Sequence, residues 1–430
     1  MNILGRDIYV FRGFMDKIFV QGREKLYGSI KISGMKNSAL PILFATLLVR
    51  GESIIENIPV VSDVHNTLRI LSDMGAEIKY ESVHSVRINT KNIDPDFVSM
   101  ELVSKMRASS YLMGILLALY GKVRIAYPGG CNFGQRPIDE HLKGFRKMGA
   151  ECYEYDGYVE ITTKDKLKSG KITLDKISVG ATINMILASV FTEGTTVVEN
   201  IATEPHVDDV IGYLCLCGAQ IKREGNIVKI NGVKSLKGVR YSIYPDTIEA
   251  LTYISCVGVT SGVLEIKNTN LTHVMPFLPI LSRMGYNIEH FGNDIINVRS
   301  SGRLKGVDVV TAPYPSFPTD FHPQFASLLC NTNDGGSIVE TVFPNRFAYV
   351  GELKKMGARV DKIDNKVIIK PSILDGCSVD ATDLRAGAAL VVASLGAYGE
   401  SIINNVTYIL RGYEDIVGKL SSVGAIIKIV

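Results

Sequence analysis

The sequence predicts an α/β protein of two domains, each made of three copies of one repeated unit, with apolar helices buried inside a shell of sheet and outer helices. Three recurrences carry this reading. A glycine stop appears six times, in "MGAEI" (Gly75), "MGAEC" (Gly149), "CGAQI" (Gly218), "MGYNI" (Gly285), "MGARV" (Gly357) and "VGAII" (Gly424), at intervals of 67 to 74 residues. A second glycine precedes each stop and opens an alternating run, at Gly51, Gly121, Gly194, Gly262, Gly336 and Gly399. An apolar segment of helical length stands before each of these, as in "NSALPILFATLLV" and "DLRAGAALVVASLGAY".

Taken in order, the unit begins with that apolar helix, which is hydrophobic all round and therefore belongs inside. The glycine and its alternating residues read as a half-buried strand. A loop and an amphipathic helix follow, ended by the glycine stop, because glycine accepts the left-handed conformation that closes a helix. Two further strands complete the unit. Six mixed units are too long for the common short solenoid repeats. They favour two halves of three, with a cleft between domains where ligands bind, over one elongated solenoid.

Composition narrows the function. The chain has 430 residues, 46% hydrophobic and 21% charged, as expected of a globular protein. A net charge of +3 with no basic run gives no nucleic-acid footprint, so no nucleic acid, membrane or obligate protein partner is expected. The apolar stretch "LPILFATLLV" is too short to span a bilayer. Seven cysteines, without a CxxC pair or a Cys/His cluster at ligand spacing, fit reduced thiols in the cytoplasm and no metal site. Met15 opens "MDKIFVQG", so residues 1–14 read as an N-terminal extension.

The apolar helices begin with polar groups: Lys36 and Asn37, Arg107, Ser178 with Thr182, Asp246, Asp320, and Asp383 with Arg385. Capping accounts for Ser178, Asp246, Asp320 and Asp383 as residue types. It does not account for Lys36, Arg107 or Arg385, because a cation opposes the positive end of the helix dipole; something negative must compensate them. Cations recur in the loops before the outer helices, at Arg136, Arg346 and Arg411. Repeat two has the longest interval between its two glycines, from Gly121 to Gly149, and the extra length falls in the glycine-bearing loop of Cys131. These features point to a small molecule with several negative charges. No GxxxxGK[ST] or strand-borne GxGxxG supports a nucleotide fold of the usual kinds. Asp320, after the rigid Pro318-Thr319, is either a helix cap or a general base.

With those residues in view, the chain resembles the enolpyruvyl transferases, and their amino-sugar branch in particular. The motifs are "SGMKNSALPIL", "MRASSYLMG", "PGGCNFGQRPIDEH", "KISVGAT", "FPTDFHPQF", "FPNRF", "ATDLRAGAAL" and "RGYEDIVGKL", running from about Met15 to the C-terminus. The resemblance implies two inside-out α/β domains. It groups residues 15–35 with 244–430 as one domain and leaves 36–243 as the domain with the Cys131 loop. The implied reaction moves enolpyruvate from phosphoenolpyruvate to the 3-hydroxyl of UDP-N-acetylglucosamine, releases phosphate, and needs no cofactor or metal. It would be the committed step of peptidoglycan precursor synthesis.

The resemblance also implies roles. Lys36, Arg136 and Arg411 clamp the phosphoenolpyruvate phosphate, with Arg346 and Arg385 near its carboxylate, and Asn37 touches the tetrahedral intermediate. Arg107, the run Arg136, Pro137, Ile138, Asp139 and Glu140, the run Lys176, Ile177, Ser178, Val179 and Gly180, and Asn37, Asp320 and Val342 hold the nucleotide sugar. Asp320 accepts the hydroxyl proton, and Cys131 delivers a proton at C3 and can form an adduct with phosphoenolpyruvate. A thiol near Lys36, Arg136 and Arg411 would have a depressed pKa. Met35, Glu140, Thr247, Tyr408 and Leu410 depart from the family's usual residues. Two rival readings stand beside this one: transfer to another nucleotide or sugar hydroxyl, and a non-catalytic ligand-binding homologue.

Overall fold

The computed structural model describes residues 16–95, 98–127, 129 and 138–430. The expected extension, residues 1–14, lies outside them, as do Cys131, Arg136 and Pro137. The chain forms two compact units: one holds the described residues up to Ile32, Ile248–Ala312 and Phe317–Val430, the other Ser33–Thr247 and Pro313–Ser316.

Each unit holds three of the six repeats around three apolar helices. In the second-named unit these are α1 (Lys36–Ala45), α2 (Tyr111–Tyr120) and α3 (Val179–Ser189). In the other they are α4 (Thr247–Thr260), α5 (His322–Cys330) and α6 (Leu384–Gly396). All residues of α5 and α6 are buried, which is why these segments carry no polar face. Each fully buried Leu or Ile among them contributes about 1.5–3 kcal/mol. Small residues let the helices approach: a Cβ on Gly114 of α2 would lie 2.6 Å from the Asn184 carbonyl oxygen of α3, and Ser327 of α5 donates to the Ala389 carbonyl of α6 at 2.7 Å.

The shell consists of six small sheets, five of four strands and one of three among the described residues. Five contain the antiparallel hairpin that follows a glycine stop, as in Glu77–Ser82 with Ser85–Asn89 and Arg359–Ile363 with Lys366–Lys370. In the sixth, the strand after Gly424, Ile426–Ile429, pairs antiparallel with Ile18–Gln21 instead. Gly75, Gly149, Gly218, Gly285, Gly357 and Gly424 all have φ between 87° and 108°, so a side chain at any of them would be strained. The upstream glycines are less uniform. At Gly51 and Gly262 the left-handed turn falls one residue earlier, on Arg50 (φ 50°) and Ser261 (φ 51°).

Two strands join a sheet of the other unit from the one whose helix they lead into. Tyr27–Lys31 runs toward α1 yet pairs in parallel with Val263–Lys267, and Arg240–Ser242 runs toward α4 yet pairs in parallel with Glu52–Glu56. The chain passes from one unit to the other after Ile32 and after Thr247. The first point precedes the boundary expected at 35/36 by three residues, and the second follows the one expected at 243/244 by four. The crossing segments are stitched together locally: Met35 N donates to Tyr244 O at 2.7 Å and Asp246 N to Ser33 O at 2.9 Å. No helix of the described residues is long and apolar enough to cross a membrane.

Candidate active site

In the unit of α5 and α6, three of the expected residues converge. Asp320 lies in a short turn, Thr319–Phe321, directly before α5. Arg385 is the second residue of α6, whose N-cap Asp383 accepts from the Arg385 and Ala386 N–H groups at 2.8 and 3.0 Å. Arg346 follows the strand Gly336–Val339 by a short loop. Asp320 Oδ1 accepts from Arg346 Nη1 at 2.5 Å and Oδ2 from Arg385 Nη2 at 2.9 Å. Both arginines are buried, their side chains 4% and 8% exposed, against 27% for Asp320.

The capping reading of Asp320 is therefore replaced by an ion-pair reading, while Ser178 and Asp383 do cap their helices. Burial pushes the Asp320 carboxyl up, but the Arg385 and Arg346 guanidiniums outweigh that and hold it well below the usual range. Two guanidiniums share one carboxylate, so these three groups carry an excess of one positive charge. Arg346 also donates to the Thr319 carbonyl at 2.8 Å, and Val342 N donates to Glu340 at 2.8 Å in the loop leading to Arg346. Arg411 closes the short helix Thr407–Leu410. Its neighbour Tyr413 reaches the site, with its hydroxyl 3.4 Å from Arg385 Nη1, 2.8 Å from Gln324 Nε2 and 2.8 Å from Thr252 Oγ1.

In the other unit, Lys36 and Asn37 open α1, whose N-cap Met35 is buried and offers no capping side chain. Lys36 Nζ lies 2.9 Å from Asp63 Oδ2 with both side chains largely buried. The negative charge that the sequence requires for Lys36 and Arg385 is thus supplied from within, by Asp63 and Asp320. Thr67, one turn after Asp63, donates to the Asp63 carbonyl at 2.9 Å and lies 3.6 Å from the Met106 sulfur. Met106 immediately precedes Arg107, which opens the turn Arg107–Ser110.

The described residues of the two runs that the resemblance assigns to the nucleotide sugar come together as well. Ile138 is buried and precedes helix Asp139–Lys147, with Asp139 exposed and Glu140 partly buried. Glu140 accepts from the Asp175 N–H at 2.8 Å, which ties this helix to residues 176–180. In that run Lys176 and Ile177 are exposed, while Ser178, Val179 and Gly180 form the start of α3. His141 packs beneath Gly180, where an added Cβ would sit 2.8 Å from its ring. Its Nδ1 lies 3.1 Å from Asn184 Nδ2. Burial, aided by Arg107, pushes His141 down to about 3, so the ring is neutral.

Asp63, Tyr413, Glu140 as a brace, and Glu340 were not legible as partners. Asp63 and Tyr413 meet their partners across 27 to 161 residues of sequence, Glu140 acts through a backbone amide and Glu340 gathers donors from both sides of itself; of the four, Glu140 and Tyr413 sit in quoted motifs. The six described cysteines are free; burial pushes Cys256 well above the usual thiol range and Cys330 up to about 12, hence both are unreactive. Among the described residues no group of three or more His, Cys, Asp or Glu is placed to hold a metal ion.

The family model described as EPSP synthase (3-phosphoshikimate 1-carboxyvinyltransferase) matches residues 20–420, and the chain belongs to this enolpyruvyl transferase family. Among its relatives are UDP-N-acetylglucosamine 1-carboxyvinyltransferases. That of Halothermothrix orenii is 45% identical, covering 96% of this chain and 99% of the relative. That of Wolbachia pipientis wMel is 42% identical, over 96% and 100%. Among solved structures, the enolpyruvyl transferase NikO from Streptomyces tendae superimposes with a TM-score of 0.88 at 25% identity, over 97% of this chain and 99% of that one. EPSP synthase from Acinetobacter baumannii gives 0.75 at 19%, over 96% and 100%, a likeness of fold.

Proposed function

We propose that this chain transfers the enolpyruvyl group of phosphoenolpyruvate to the 3-hydroxyl of UDP-N-acetylglucosamine and releases phosphate, the committed step of peptidoglycan precursor synthesis. The carrying observation is the Arg346–Asp320–Arg385 cluster, in a chain 45% identical to an enzyme of that name.

In this reading the hydroxyl oxygen attacks C2 of phosphoenolpyruvate while Asp320 takes its proton, and Cys131 gives a proton to C3. The resulting tetrahedral intermediate then loses phosphate as a proton leaves the new methyl group. Lys36, Arg136 and Arg411 hold the phosphate; Arg346 and Arg385 meet the carboxylate; and Asn37 contacts the intermediate. Such fixed charges stabilise the charge that develops in the transition state. Asp320 is a poor base while two guanidiniums face it. An anionic substrate that shares those guanidiniums returns its basicity, so proton transfer waits on phosphoenolpyruvate. Arg107, Arg136, Pro137, Ile138, Asp139, Glu140, Lys176, Ile177, Ser178, Val179, Gly180, Asn37, Asp320 and Val342 hold the nucleotide sugar, with Glu140 bracing the two runs. The free thiols fit a reducing compartment such as the cytoplasm.

The test is phosphate release from phosphoenolpyruvate with and without UDP-N-acetylglucosamine, with fosfomycin, and in Cys131→Ser. Release that needs the sugar and is lost on alkylation of Cys131 supports the reading. Sugar binding without release points to a non-catalytic homologue, and neither binding nor release points to another acceptor.

A further inference from the structure

Glu340 follows the strand Gly336–Val339, and its side chain is fully buried. None of the roles above uses it. A carboxylate withdrawn from water is costly unless its lone pairs are filled, and here five donors fill them. Oε1 accepts from Thr311 Oγ1 at 2.8 Å, Val342 N at 2.8 Å and Phe343 N at 2.9 Å. Oε2 accepts from Thr319 Oγ1 at 2.9 Å and from His322 Nδ1 at 2.8 Å. Burial alone would raise the carboxyl, but the His322 hydrogen bond and the two amides hold it down to about 2. Burial also lowers His322, so the imidazole is neutral. Nδ1–H faces the carboxylate, and Nε2 accepts from the Tyr349 hydroxyl at 2.7 Å.

The donors lie on the pieces of chain that build the Asp320 cluster. Thr319 immediately precedes Asp320, and its carbonyl receives Arg346 Nη1 at 2.8 Å. Val342 and Phe343 lead directly to Arg346, and His322 opens α5 just after the Asp320 turn. One buried carboxylate thus fastens both the turn that carries Asp320 and the loop that carries its arginine. We infer that Glu340, with His322 and Tyr349 behind it, is the positioning residue that holds Asp320 and Arg346 in register for proton acceptance. This rests on the role proposed for Asp320. The charged and titratable groups facing Asp320 are Arg346 and Arg385, with Glu340 and His322 behind Thr319.

The experiment compares Glu340→Gln and Thr319→Val with wild type in the full chain. Glu340→Gln keeps the shape but turns one accepting oxygen into a donor that faces other donors. Expected are a fall in kcat of about 10- to 100-fold, KM for both substrates within about threefold, and a displaced acid limb of the kcat–pH profile. Thr319→Val, which removes one donor from the frame, should give a smaller loss of the same kind. A carbon-13 carboxyl spectrum of Asp320, assigned with Asp320→Asn, reads the frame without turnover. The wild-type carboxyl stays ionised at about pH 4, and in Glu340→Gln it begins to titrate there. Unchanged kcat, pH profile and Asp320 titration in the folded variants would overturn the inference and leave Glu340 a packing residue. Wild type that releases no phosphate would refute the functional reading instead, and the Asp320 titration would still decide the positioning. If Glu340→Gln does not fold, Thr319→Val decides by the same readouts.

Discussion

Replacing Asp320 by Asn keeps the side chain's shape and removes the charge that two buried arginines share. Arg346 and Arg385, 4% and 8% exposed, would then face each other across a neutral amide. Removing one partner of a buried ion pair costs about 3–5 kcal/mol. The 27% exposure of Asp320 admits solvent screening, which brings the expected loss nearer about 2 kcal/mol. At about 2–4 °C per kcal/mol, the transition of this unit should fall by about 4–8 °C. The pH dependence has a definite sign. The folded carboxyl lies below its unfolded value, so its stabilisation is fully present above about pH 4 and is lost as pH falls through the folded value. The gap between wild type and variant should therefore be constant from about pH 7 to 5 and close only in stronger acid. Turnover should drop by about 10²- to 10⁴-fold, the usual share of a positioned base. Thermal melts across that pH range, with and without inorganic phosphate, make the assay. Phosphate should stabilise the variant more than wild type, because it restores a counter-charge to the arginines. Equal melting points and equal responses to phosphate would refute the view that Asp320 neutralises them.

Three further outcomes follow from the same geometry. Asp63→Asn releases the Lys36 ammonium from its fixed position, so kcat/KM for phosphoenolpyruvate should fall about tenfold with the sugar KM unchanged, measured by initial rates. Gly114→Ala puts a Cβ 2.6 Å from the Asn184 carbonyl oxygen. It should cost about 1–3 kcal/mol in urea unfolding despite alanine's better helix propensity. His141 is pushed down to about 3 by burial and by Arg107, so its stabilisation is present above the unfolded value of about 6.5 and is lost as pH falls toward the folded one. His141→Asn should flatten that acid slope, which amounts to at most about 5 kcal/mol at 1.36 kcal/mol per unit; an unchanged slope would place the titrating group elsewhere.

The repeat was legible because its punctuation is enforced locally. A helix stop with φ near 100° leaves glycine in the sequence wherever it occurs, and six such glycines lie at Gly75, Gly149, Gly218, Gly285, Gly357 and Gly424. Helices buried on every side likewise show as uninterrupted apolar runs, as in Leu384–Gly396. The pairing of charges was not legible. Asp383 and Asp320 are the same residue type at the same kind of place, yet one caps its helix and the other joins arginines 26 and 65 residues further on. The cations at Lys36 and Arg385 were visible as anomalies that demanded an anion. Their partners were hidden, because Asp63 belongs to another helix and Asp320 to another repeat. Glu340 gave no sign at all: it directly follows a strand in an ordinary alternating run, and its five donors are assembled only by the fold. The strands Tyr27–Lys31 and Arg240–Ser242 were assigned to their units only through the resemblance, which groups 15–35 with 244–430; residue patterns alone would not have placed them, since a strand's sequence does not name its sheet.

The most direct test is to incubate the protein with phosphoenolpyruvate and UDP-N-acetylglucosamine and follow both products, phosphate by phosphorus NMR and the sugar by mass and carbon NMR. The account predicts one phosphate released for each enolpyruvyl ether formed on the 3-oxygen of the sugar. Phosphate released without a sugar adduct, or an adduct at another position, would contradict it.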